Sequence, residues 1–325
     1  FDVTTPSSGS LATVTISNLA IDAPKPVGLV RVDVGPCGSS GSAPSNEFGY
    51  GIPVTAVVST TQTYGSDRFA TAAALFNSEF DCNNGNDNNS SAVIATGLNY
   101  PDALSGNYLA GQLHTGILEV STDSIPSEVL SALQAGGVSH VYIVGGVNAV
   151  SAAVASQLAS TQAYQCNSTG NGSTAMTNSS GNPVDITVTR IAGNTRYDTS
   201  EQVATYPGTT VGTLDVSRTT SAVPTAILAT GLNFPDALSA GPMAYSGTNV
   251  SSNGNAKGFP LILTDPNSLS PQAESALHAD GIQQVIVMGG TAAISDAVIS
   301  QVESDLGIPS QAIIRLAGND RTRTA

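Results

Sequence analysis

The segment ATGLNYPDALS at 95–105 recurs as ATGLNFPDALS at 229–239, with one aromatic residue exchanged for another. A near-verbatim copy at this separation marks an internal duplication with a domain-sized period, too long for a solenoid repeat. The surroundings repeat in the same order. YGSDRFATA (64–72), AGNTRYDTS (192–200) and AGNDRTRTA (317–325) are three versions of one opening, and YIVGG (142–146) is echoed by IVMGG (286–290). The chain thus carries two whole units and the first residues of a third.

Within each unit, short apolar runs alternate with helical patterns. SAVIATG (91–97), GILEVST (116–122) and HVYIVGG (140–146) read as strands of the first unit, with helices from Arg68, Pro101, Pro126 and Ser151. DITVTRIAG (185–193), PTAILATG (224–231), FPLILTD (259–265) and QVIVMGG (284–290) read as strands of the second, with helices from Arg196, Pro235, Ser270 and Ser295. The runs are rich in Ile, Val and Leu on both faces, as suits strands covered by helices on each side. Strand–helix alternation with short links predicts an α/β fold of tandem Rossmann-like parallel-sheet repeats with right-handed crossovers. Polar insertions at 81–91, 161–183 and 246–258 read as surface loops. Residues 1–60 differ: LATVTISNLAID and VGLVRVDV alternate apolar and polar positions, the period of half-buried strands, so a small β segment precedes the repeats. The expected division is 1–60, 61–188, 189–314 and, as the start of a third repeat, 315–325.

Charged residues make up only 10% of the chain and the net charge is −14, against a usual charged share of about 25%. That balance argues against nucleic acid or an anionic membrane as a general partner. No uncharged apolar run approaches the roughly 20 residues of a membrane span. Phe1 is not an initiator, which reads as a removed signal peptide or a fragment.

Three cysteines, Cys37, Cys82 and Cys166, show no metal or redox spacing. Cys82 and Cys166 each sit in a polar insertion after a helix of the first repeat and are the expected disulfide pair. Such a bond belongs to an oxidising, extracellular compartment. Cys37 would then be free or intermolecular; sequence alone leaves all three pairings open. Asn88, Asn89, Asn167, Asn171, Asn178 and Asn249 head Asn-x-Ser/Thr tripeptides in loop-like segments and are candidate glycosylation sites.

Two motifs carry the candidate chemistry. In LN[YF]PDALS, Asn99 and Asn233 are placed to cap a helix, Pro101 and Pro235 fit its first position, and Asp102 and Asp236 put a carboxylate in its first turn. The bland reading is a well-made strand-to-helix corner. The functional one notes that loops at the carboxyl ends of parallel strands are where open α/β sheets bind ligands. The second motif gathers Arg68, Arg190, Arg196, Arg315, Arg321 and Arg323 at the repeat junctions, six of the ten basic residues. They would either pair with Asp67, Asp102, Asp198, Asp236 or Asp320 to lock repeat on repeat, or converge on phosphate or carboxylate groups of a ligand. The double glycines at 145–146 and 289–290 read as tight turns.

HExxH, GxSxG, CxxC and P-loop patterns are all missing, so no enzyme signature is found. No cofactor or metal is expected; DCNNGNDNN (81–89) lacks the order of a calcium loop. His114, His140 and His278 do not recur at equivalent positions in the two units.

At G-x-x-R-[YF]-x-T (65–71 and 193–199), TGLN[YF]PDALS (96–105 and 230–239) and the [VM]GG strand ends, the chain resembles the cell-wall-binding repeat family, type 2, of Gram-positive surface proteins. The resemblance covers roughly residues 61–325. It implies Rossmann-like or toprim-like repeats, three to a set, packed about a pseudo-threefold axis and holding their protein noncovalently on an anionic wall polymer. It also implies that catalytic or adhesive activity, where present, lies in other domains. The third opening departs from the pattern, RTRTA replacing RFATA and RYDTS.

The expected function is therefore that of a noncatalytic, secreted, extracellular surface protein on the cell wall, with the polymer as partner. Arg68, Arg196 and Arg321 would pair with the anion, and Asn99, Asp102, Asn233 and Asp236 would shape the loops. The alternative is a structural subunit of an extracellular lattice or filament, contacting other copies of itself. A hydrolase within residues 61–325 has the least support.

Overall fold

The apolar runs form two sheets of parallel strands. The computed structural model describes residues 62–84, 90–167, 171–215, 222–246 and 257–318. The expected β segment (1–60), Cys37, Asn88, Asn89, Asn249, Asp320, Arg321 and Arg323 lie outside the described residues.

The first repeat runs α1 (Arg68–Phe80), β1 (Ser91–Thr96), α2 (Pro101–Gln112), β2 (Ile117–Val120), α3 (Ser127–Ala135), β3 (His140–Val144) and α4 (Ala152–Ala159). A hairpin of β4 (Tyr164–Cys166) and β5 (Ser173–Ala175) follows, then β6 (Thr187–Ile191). Its sheet is parallel throughout, in the order β2-β1-β3-β6.

The second repeat runs α5 (Arg196–Ala204), β7 (Thr213–Leu214), β8 (Val223–Thr230), α6 (Pro235–Ser239), α7 (Gly241–Ser246), β9 (Leu261–Thr264), α8 (Pro271–Ala279), β10 (Gln284–Met288), α9 (Asp296–Leu306) and β11 (Ile313–Leu316). Here β9, β8, β10 and β11 repeat the parallel arrangement, and the two-residue β7 pairs antiparallel with the start of β8.

Each sheet ends on a strand contributed by the opening of the next unit. β6 crosses the 188/189 boundary and β11 the 314/315 boundary, so the sequence period and the folded sheet are offset by one strand.

Both faces of each sheet are buried. On one face of the first, Ala92, Ile94, Leu118, Val141 and Ile143 pack under α1, α3 and α4. On the other, Val93, Val144 and Ile191 meet Tyr108 and Leu109 of α2 together with Val203 of α5. The second repeat reuses the plan, and Leu104 of the first repeat enters its core beside Ile227, Ala237 and Leu263. The repeats thus share buried surface, with α2 lying against α5 and α7.

Three expectations change. The 161–183 insertion is not all loop: its Ser- and Asn-rich composition hides the β4–β5 hairpin, whose strands are largely exposed. The helix from Pro235 breaks into α6 and α7, because Pro242, which stands where the first repeat has Tyr108, offers no N–H to the Leu238 carbonyl. Asn99 and Asn233 do not cap α2 and α6. The cap positions fall on Tyr100 (φ −92°, ψ −28°) and Phe234 (φ −92°, ψ −25°), and neither makes a side-chain capping bond.

Cys82 and Cys166 are joined as a disulfide that ties the hairpin to the end of α1. Among the described residues, no helix is long and apolar enough to cross a membrane.

Candidate functional site

The carboxyl ends of β1, β2 and β3 open on a cavity of about 650 Å³. Thr96, Asn99 and Asp102 line it from the β1–α2 corner, Thr122 from the end of β2, and Val147 and Asn148 from the loop after β3. The far wall belongs to the second repeat: Asn194, Thr195, Arg196 and Thr199 at the start of α5. The lining is rich in hydroxyl and amide groups, with exposed aliphatic residues at its mouth, Leu98 (59% exposed) and Val147 (57%). Its charged residues are Asp102 and Arg196, one from each repeat.

Local rules position each group. The Thr96 hydroxyl accepts from Leu98 N (3.2 Å), closing the turn after β1, and Thr230 repeats the bond to Leu232 N. The α5 start is fixed by a capping box: Thr195 Oγ1 accepts from Asp198 N while the Asp198 carboxylate accepts from Thr195 N. That bonding, the Thr195 hydroxyl first, holds the Asp198 carboxyl below the usual range.

Asp102 lies against the backbone of Gly145, which has φ +117°; an added Cβ there would press on the carboxylate. Asp236 stands in the same relation to Gly289, φ +95°. The motif aspartate and the double glycine are therefore a matched pair in each repeat, a link the linear sequence does not display. Burial pushes the Asp102 carboxyl up to about 6, against the opposing pull of the Arg196 charge.

The arginines divide into two repeated jobs, and their partners are mostly carbonyls rather than the expected carboxylates. Arg68 donates to the Gly97 carbonyl and Arg196 to that of Gly231, each joining the helix start to the central strand of its own repeat. Arg190 donates to the carbonyls of Gly145 (2.7 Å) and Ser151 (3.3 Å). Arg315 does the same at Gly289 (3.0 Å) and Ile294 (2.8 Å), and adds an ion pair to Asp296 (3.2 Å). Carbonyls where the ladder ends lack strand partners, and the guanidinium fork satisfies them. Asp67 and Asp198 instead cap their helices. Arg68 is exposed and acts electrostatically on Glu119 of its own repeat, whereas Arg196 acts across the junction on Asp102.

Of the loop-shaping asparagines, Asn99 lines the cavity and is exposed, its Oδ1 accepting from Tyr100 N (3.0 Å); Asn233 is exposed. Tyr100 carries no assigned role in the sequence pattern, yet it fastens the junction. Its hydroxyl donates to the Leu232 carbonyl (2.7 Å), its ring lies 5.4 Å from that of Phe234, and the Arg196 guanidinium sits 6.0 Å from its centroid. The repeated aromatic of LN[YF]P is the signal that points to it.

Comparison with known proteins agrees with this fold. The family model "Cell wall binding domain 2" matches residues 62–155 and 190–299. The chain is similar to the N-acetylmuramoyl-L-alanine amidase LytC of Bacillus subtilis, 28% identical over 255 residues, which are 78% of this chain and 41% of that protein. It is also similar to the Amidase enhancer of the same organism, 24% identical over 265 residues, covering 82% of this chain and 28% of that protein. The chain therefore spans less than half the length of either relative. Among solved structures, Cwp8 from Clostridium difficile shares the fold with a TM-score of 0.57 at 24% identity, over 80% of this chain and 36% of that one. With both repeats matched by the family model, the chain belongs to the cell wall binding domain 2 family.

Proposed function

We propose that the tandem repeats hold this protein noncovalently on the cell wall, with a segment of an anionic wall polymer seated in the cavity between the first and second repeats. The observation that carries the reading is the cavity itself. It lies at the carboxyl ends of parallel strands, where open α/β sheets take ligands, and it is completed by the start of α5 from the neighbouring repeat. Its volume, about 650 Å³, falls within the range of small-ligand sites. Threonine hydroxyls and asparagine amides suit sugar hydroxyls, Leu98 and Val147 suit the apolar face of a pyranose ring, and Arg196 suits one anionic group.

In this reading the chain acts by binding rather than by chemistry, and the amidase activity named for one relative belongs to a protein of which the match to this chain covers 41%. The location is the extracellular cell surface, in keeping with the Cys82–Cys166 bond. The test is sedimentation of the purified chain with Bacillus subtilis walls, before and after extraction of their anionic polymer. Retention should fall on stripped walls; equal retention on both would reject the polymer as partner.

A second reading, assembly with further repeats into a closed set, lattice or filament, is favoured by one observation. Phe234 and Leu238 of the second repeat are exposed where the corresponding face of the first is covered.

A further inference from the structure

We infer that Asp102 is an acid-operated gate on the cavity: ionised, it competes with an anionic ligand for Arg196, and protonated, it admits that ligand. The inference rests on the reading of the cavity as the polymer site and adds its regulation.

The geometry isolates the two groups. They are the charged residues of the lining, and they arrive from different repeats. No direct ion pair joins them: Arg196 donates to the Gly231 carbonyl and lies over Tyr100, while the Asp102 carboxylate rests on Gly145. Among the described residues, no N–H or O–H donates to the Asp102 carboxylate oxygens, so burial of the charged form is not offset by hydrogen bonds.

The other charged groups around it are engaged elsewhere. On α5, Asp198 is held by Thr195 and by Gln272 Nε2 (2.9 Å). Arg190 of β6 stands behind Gly145, bonded to its carbonyl. Glu119 of β2 faces Arg68 across Gly97. The loop after β3 brings Gly146, Val147 and Asn148, none of them titratable.

An anion drawn to Arg196 therefore meets the Asp102 charge in a partly enclosed space, with one cation to serve both. Two negative charges in such a site are relieved by uptake of a proton. By linkage, the factor by which the anion favours protonated Asp102 equals the factor by which protonation favours the anion. Burial has already brought this carboxyl to about 6, so the exchange falls between mildly acidic and neutral pH.

The experiment measures binding of the full chain to untreated Bacillus subtilis walls from about pH 5 to about pH 8, for the wild type and Asp102→Asn. Wild-type affinity should rise on the order of tenfold towards the acid end, within the usual range of coupling. Asp102→Asn should hold the acid-end affinity throughout. Titration of the polymer itself would act on both proteins alike, so parallel pH profiles, whatever their slope, would overturn the gate and leave wall binding standing. Absence of binding by both folded proteins at every pH would overturn the wall-binding reading, and the gate with it. Should Asp102→Asn fail to fold, calorimetry of the wild type at intermediate pH, in buffers of unlike ionisation enthalpy, decides the same point. Net proton uptake on binding supports the gate and none overturns it.

Discussion

Leu104 and Leu238 occupy the same position in two copies of one motif, yet Leu104 is 4% exposed and Leu238 is 57% exposed. The difference lies in the neighbour: Leu104 is inserted into the core of the second repeat, and nothing among the described residues covers Leu238 to that degree. Leu104→Ala should therefore cost about 2–5 kcal/mol, the range for emptying a buried leucine site. Leu238→Ala should change stability by less than about 0.5 kcal/mol, as at an ordinary surface position. Urea unfolding of the two variants checks this. Comparable losses would mean that the Leu238 face is already covered in solution, and sedimentation would then show a larger assembly for the wild type.

Stability should also depend on pH, with the opposite sense to the usual carboxylate case. The Asp102 and Asp280 carboxyls are each raised by burial to about 6. In the unfolded chain an aspartate titrates near about 3.9. The native state thus binds more protons between those values, so the contribution is complete below about pH 4 and lost as pH rises through about 6. For Asp102 the upper limit is about 3 kcal/mol, at about 1.4 kcal/mol for each tenfold change in proton affinity. Asp280 contributes less, because solvent screens it. Unfolding followed across that window should show a falling midpoint for the wild type and a shallower fall for Asp102→Asn; a rising midpoint would refute the assignment.

Most elements are legible in the sequence for a simple reason: the strands β1 and β8 to β10 are apolar runs buried on both faces, and several helices start at Pro or just after a residue that caps them. Ser151 and Ser270 accept from the amides of Val154 and Ala273 as their spacing suggests. The corner at Asn99 departs from its linear pattern because Tyr100 takes a helical conformation directly before Pro101, where the proline ring disfavours it. Contacts made by its ring and hydroxyl in the second repeat offset that preference, and those contacts are tertiary. The site is half legible for the same cause. Duplication marks Asp102 and Arg196 as special, but only docking of one repeat on the other reveals that they share a cavity. Whether an arginine serves a carboxylate or a strand-end carbonyl is equally beyond a linear pattern.

Docking itself depends on a missing side chain. Gly111 in α2 is so close to the Tyr245 carbonyl of α7 that an added Cβ would overlap it, and the obstacle is backbone rather than a movable side chain. Gly111→Val should destabilise the chain by at least about 1–3 kcal/mol through overpacking. Two separated thermal transitions, replacing one, would indicate that the repeats have come apart. Full retention of stability would show that α2 and α7 part without cost.

The Cys82–Cys166 bond closes a sequence separation of 84 residues around most of the first repeat. Loop-closure entropy puts its contribution at up to about 4–5 kcal/mol, with about 2–4 the common experience. The double variant Cys82→Ser/Cys166→Ser should lose stability in that range and should lose the β4–β5 hairpin first, since no residue of its strands is fully buried. Amide exchange on Tyr164–Cys166 reads the local effect, and unchanged protection there would show that the hairpin stands without its tether.

The candidate glycan acceptors among the described residues, Asn167, Asn171 and Asn178 in and after that hairpin, stand on unequal terms. Asn167 is half-buried, its Nδ2 donates to the Asn171 carbonyl (2.7 Å), and its Oδ1 accepts from Asn171 N (2.9 Å). A sugar on that nitrogen would break the turn. Asn171 and Asn178 are exposed; Asn178 uses its Oδ1, accepting from Ser180 N (2.9 Å) and Asn182 N (3.0 Å), and leaves Nδ2 outside both bonds. In a secretory pathway that transfers oligosaccharide from a lipid pyrophosphate to asparagine, glycans on the folded chain should occupy Asn171 and Asn178 and spare Asn167. Glycopeptide mass spectrometry resolves the three positions. Occupancy of Asn167 at the level of the other two would show that transfer precedes formation of the hairpin.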